Sequence, residues 1–75
     1  MTKQELQELK EAYKNVFDEN GEVRECGRNT TSHLIKTIRK HTSADVGDEN
    51  TGMMKVETIK SEYQKLTAYQ GALVL

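Results

Sequence analysis

Tryptophan and proline are absent, and phenylalanine and cysteine occur once each. A single thiol cannot close an internal disulfide, so Cys26 does not staple the fold, and an unpaired thiol fits a cytosolic setting. Without proline, nothing in the chain forces a helix to break, and turns must rely on glycine, asparagine and aspartate. No apolar run approaches the roughly 18 residues of a membrane helix. The opening stretch "MTKQELQELK" has no apolar centre of the kind a signal peptide needs. These absences lead us to expect a cytoplasmic protein that does not enter a membrane. Two histidines and one cysteine are a poor ligand set: Cys26, His33 and His41 match no zinc spacing and have no fourth member. A phosphate-cradling glycine loop, HExxH and GxSxG are missing too. We therefore expect no metal, no cofactor, no catalytic residues and no enzyme.

With 75 residues the chain forms one domain, residues 1–75, near the lower size at which one core holds alone. Charged residues are 31% of it, too many for a thick core, and the apolar ones are too regularly spaced for a disordered chain. A scaffold of this size without disulfide or metal is commonly stabilised by association, so a homo-oligomer, a homodimer in the simplest case, is expected.

Three stretches read as helices. In the first, residues 3–17, Thr2 and Glu5 have capping-box spacing, and Leu6, Leu9, Tyr13 and Val16 form one stripe that Phe17 widens. The second, 31–41, has Asn29, Thr30 and Thr31 as candidate caps, and Leu34, Ile35 and Ile38 as an apolar face. The third, from 54 to 69 and onward if Gly71 does not end it, carries Val56, Ile59, Tyr63 and Leu66. The expected fold is all-α: a small three-helix bundle with the first and third helices antiparallel and the second packed across them. The alternative includes a short β-ribbon pairing "EVREC" with "MMKV", since Val23 and Val56 suit strands. The connection 42–52, "TSADVGDENTG", reads as a loop and as the most mobile segment.

"VFDENGEVREC" resembles the start of a calcium loop, yet no frame supplies both the sharp-turn glycine and the closing carboxylate. Asn20-Gly21 is instead a strong turn signal, since both residues tolerate positive φ.

Two surfaces are candidates for function. The apolar faces of the first and third helices, with the tail "YQGALVL", offer Tyr13, Phe17, Tyr63, Tyr69, Leu73 and Leu75 as anchors for a protein partner. The segment 24–41 holds Arg24, Arg28, Lys36, Arg39 and Lys40 against Glu25 alone, and suits contact with phosphates. Net charge is −1, so any attraction to nucleic acid must be local to that segment.

"ECGRNTTSHLIKTIRK" and "GDENTGMMKVETIKSEYQKL" resemble, in style, small accessory proteins of bacterial phages and other mobile elements. That resemblance implies a module binding one protein or DNA and transfers no residue roles. The leading expectation is a non-enzymatic, self-associating protein-binding or regulatory module. The second is a small DNA-binding regulator acting through 24–41.

Overall fold

A computed structural model describes residues 2–74, with side-chain surroundings for residues 2–68. The order is α1 (Lys3–Val16), α2 (Arg28–Arg39), β1 (Gly47–Asp48), β2 (Met53–Met54) and α3 (Val56–Val74). The fold is rich in helix, as expected, with one small antiparallel two-stranded sheet added.

The start of α1 follows its capping signal. Thr2 Oγ1 accepts from the Glu5 amide at 3.1 Å, and Glu5 Oε1 accepts from the Thr2 amide at 2.8 Å. The bond from the Thr2 amide and, after it, the Thr2 side chain hold the Glu5 carboxyl below its usual pKa. The helix stops at Phe17, whose backbone is extended and whose ring is 1% exposed.

The following turn reverses the chain. Asp18 Oδ1 accepts from the amides of Asn20 and Glu22, both at 2.9 Å, and Gly21 takes φ 80°. An isolated bridge pairs Phe17 with Val23, and the Arg24 amide donates to the Val16 carbonyl at 2.7 Å. The Asp18 carboxylate thus organises the backbone of the turn. Among the described residues no group of three His, Cys, Asp or Glu side chains is placed to hold a metal.

α2 starts earlier than its threonines suggested. Gly27 is the N-cap, without a side-chain cap, and Asn29, Thr30 and Thr31 lie in the first turn. Thr31 is buried, with its hydroxyl donating to the Arg28 carbonyl at 3.0 Å. Thr37, also buried, donates to His33 O at 2.7 Å. Buried hydroxyls that use their own helix's carbonyls do not compete with the core.

The packing centre is α2. α1, the ribbon and α3 all rest on it, and the α1–α2 contact is the most extensive. This departs from the expected arrangement, in which α1 and α3 were the main pair. Leu34, Ile35 and Ile38 of α2 meet Leu9, Ala12, Val16, Phe17, Val46 and Ile59 in one buried cluster. α1 and α3 meet where Tyr13 stacks on Tyr63, centroids 3.7 Å apart and planes within 5°.

The connection after α2 is more ordered than a plain loop. Val46 is fully buried in the core, and the Lys55 amide donates to its carbonyl at 3.0 Å. The ribbon pairs Gly47 with Met54 and Asp48 with Met53, not "EVREC" with "MMKV". Its tight turn needs Gly52 at φ 76°, where a Cβ would strike Arg28 Cγ and Thr31 Oγ1, so the turn lies directly on the first turn of α2. α3 runs through Gly71 to Val74. Thr42 ties the end of the α2 segment to α3 by donating to Glu62 Oε1 at 2.6 Å, and this bond is the first cause of the lowered Glu62 pKa.

Candidate nucleic-acid interface

The core uses one side of α2 and leaves the other to solvent. At about 100° per residue, the buried Thr31, Leu34, Ile35, Thr37 and Ile38 occupy one continuous arc. The opposite arc, about 140° wide by the same spacing, carries Arg28, Asn29, Ser32, His33, Lys36, Arg39 and Lys40. All are exposed except Ser32, which is half-buried. No acidic residue occurs on α2, and no large apolar side chain lies on this arc.

Neither of the two salt bridges among the described residues uses an α2 cation; they pair Lys55 with Asp45 and Lys65 with Glu62. The Asp45 carboxyl is held below its ordinary pKa chiefly by its hydrogen bond from Lys55, and Arg39 adds only a small contribution. Arg28 stands at the first helical position, where the positive end of the helix dipole disfavours a cation by about 0.3–1 kcal/mol. Ser, Thr, Asn or Asp could have capped this helix, but Gly27 occupies that place. A local conflict of this kind is expected where a residue serves something other than folding. Lys36 and Arg39 in the last turn, by contrast, agree with the dipole.

Of the five basic residues singled out in the sequence, four share this arc. Arg24 does not: it lies on the connection before α2, and its Nε donates to the Lys14 carbonyl at the end of α1, 3.0 Å away. Sequence reasoning did not single out Ser32 and His33 as partners of Asn29 and the basic residues on one face. The alternation of exposed and buried positions around Thr31 carries that signal, but it is readable only once the helix start is known.

The other candidate surface loses a member. Phe17 is core, stacked on Tyr13 at 4.6 Å, with Lys60 Nζ 5.7 Å above its ring. It cannot serve as an exposed anchor. Tyr13 and Tyr63 are half-buried and spend a ring face on each other, and burial raises both their pKa values. They border a shallow hollow that Lys10, Lys14 and Arg24 also line. The side chains of Tyr69 and Leu73, and Leu75 entirely, lie outside the described residues. The exposed large apolar side chains among the described residues are Val23, 48% exposed, and Met53, 72% exposed, single residues rather than a patch. Cys26 is half-buried against the core. Among the described residues no helix is long and apolar enough to cross a membrane.

Comparison with protein families, with characterised proteins and with solved structures returned no match.

Proposed function

We propose that the chain is a non-enzymatic nucleic-acid-binding module whose contact surface is the outer face of α2. The observation that carries this reading is a helix face with four cations, no acid and no ion pair among the described residues. A protein interface of useful affinity is built around buried aromatic or aliphatic anchors. This face offers none, whereas polar and strongly positive surfaces are what phosphate backbones select. With a net charge of −1 the molecule as a whole does not attract nucleic acid, so the attraction comes from this face alone. Self-association, expected from the size of the chain, would present a second such helix to a second half-site.

The test is fluorescence anisotropy of a labelled duplex at two salt concentrations. With Arg28, Lys36, Arg39 and Lys40 each releasing one counterion, the salt slope is about −3.6 on logarithmic axes. Raising salt from about 50 to about 200 mM then weakens binding on the order of a hundred-fold. The double variant Arg39→Ala/Lys40→Ala halves that slope. Flat anisotropy at both salts refutes the reading.

The expectation of a protein-binding module keeps one specific support, the hollow beside Tyr13 and Tyr63. In that reading the two rings hold a partner's side chain. Tyr63→Ala would weaken capture of such a partner without touching the salt dependence of any DNA complex.

A further inference from the structure

The outer face of α2 is uniform in charge sign but not in chemistry. Its C-terminal half holds Lys36, Arg39 and Lys40, flexible or forked cations without a hydrogen-bond acceptor. Its N-terminal half holds Asn29, Ser32 and His33, short polar side chains that both donate and accept, with Arg28 beside them. Asn29 and His33 are one turn apart, Ser32 lies between them, and Ser32, Lys36 and Lys40 continue as successive i, i+4 neighbours. The two halves therefore form one continuous track about 16 Å long at 1.5 Å per residue.

Resting on the reading of this face as a nucleic-acid interface, we infer that α2 is a sequence-reading helix for duplex DNA. Asn29, Ser32 and His33 reach base edges in the major groove, and Lys36, Arg39 and Lys40 grip the phosphates. A long cation fixed on phosphate positions a helix without reading sequence, while short amide, hydroxyl and imidazole groups distinguish base edges by their donor and acceptor pattern. Asparagine in particular matches adenine through paired bonds to N6 and N7. Helices that enter the major groove read with their N-terminal residues, and these polar groups occupy that end. Thr30 and Thr31, the candidate caps beside Asn29, take no part: Thr31 is buried under the ribbon turn, and Thr30 falls on the core-facing arc of the helix. Arg28 gains a purpose that its unfavourable place at the helix start denies it in folding, since its guanidinium there adds a fourth phosphate contact beside the base-reading residues.

The experiment is selection from a randomised duplex pool with the full chain at low salt. It is followed by anisotropy titrations of the enriched duplex and of its scrambled counterpart. We expect an enriched site and a preference over the scramble that Asn29→Ala reduces roughly five- to a hundred-fold. Asn29→Ala should leave the salt slope unchanged. Lys36→Ala should weaken both duplexes equally and reduce the slope by about one. Both positions are exposed, and circular dichroism confirms that each variant is folded. Binding without any enriched site, or a preference that survives Asn29→Ala, Ser32→Ala and His33→Ala, overturns the sequence-reading role and leaves the phosphate contact standing. Binding to single strands alone also overturns it. No binding to any nucleic acid overturns both, and an acidic protein then becomes the occupant of this face.

Discussion

Replacing Val46 by alanine separates a docked ribbon from a loose connection between α2 and α3. Val46 is the one large apolar residue of "TSADVGDENTG" and is fully buried with Leu34, Ile35 and Ile38 of α2. The substitution removes two methyl carbons, about 1.6 kcal/mol of transfer free energy at ~0.8 per carbon. The cavity left behind adds to this, because the hydrogen bond from the Lys55 amide to Val46 O keeps the backbone from collapsing into the space. A total of about 2–3 kcal/mol follows. A domain of this size has a stability on the order of 4–11 kcal/mol, so a large share of it is lost. The melting temperature should fall by roughly 10–20 °C. Urea and thermal denaturation followed by far-ultraviolet circular dichroism measure the change. Met53→Ala in the same ribbon, at a residue 72% exposed, is the control and should stay within about 0.5 kcal/mol of the parent. Equal melting temperatures for the two variants would mean that the connection does not dock, and the account of the core would be wrong.

Gly47→Ala should also destabilise, by about 1–3 kcal/mol, because φ is 130° there and the new methyl would collide with the Met53 carbonyl; an unchanged urea midpoint would count against the ribbon's register. A double-mutant cycle of Tyr13→Leu and Tyr63→Leu should show a coupling of about 0.5–1.5 kcal/mol from the ring stack, and zero coupling would mean that α1 and α3 do not meet there. Glu5, Asp45 and Glu62 all have depressed pKa values in the folded state, so the stability they contribute is complete above their unfolded values of 4.5, 3.8 and 4.5. That contribution disappears as pH falls through the lower folded values, so the melting temperature should decline on acidification below about pH 4.5; a melting temperature that rose there would contradict the bonds assigned to these carboxylates. Tyr13 and Tyr63 should ionise later than an ordinary tyrosine in an alkaline ultraviolet titration, because burial favours their neutral form.

Local chemistry was legible without any tertiary knowledge. The capping box at Thr2 and Glu5, the reversal at Asn20-Gly21 and the apolar stripes of α1 and α3 depend on neighbours within a few residues, and each formed. The basic residues of α2 were legible as a group for the same reason. The start of α2 was not, because three consecutive cap-forming residues, Asn29, Thr30 and Thr31, all satisfy the local rule. The cap is Gly27, and Thr31 lies inside the helix beneath the ribbon turn, a contact with a distant segment that no local rule contains. The connection 42–52 misled for a related reason. One valine among ten polar or small residues carries no periodicity, so only the space beside α2 shows that Val46 is core. Likewise Phe17 continues a stripe that could be solvent-facing or buried, and the reversal at Gly21 together with Tyr13 closes it in. What the sequence by itself determined was the set of helices, their charges and the turn that separates the first two. Which helix lies at the centre, and therefore which face of it remains open to a partner, was decided only by tertiary packing: burial is a property of the whole assembly, and α2 has its cationic side outward because α1, α3 and the ribbon together cover the other.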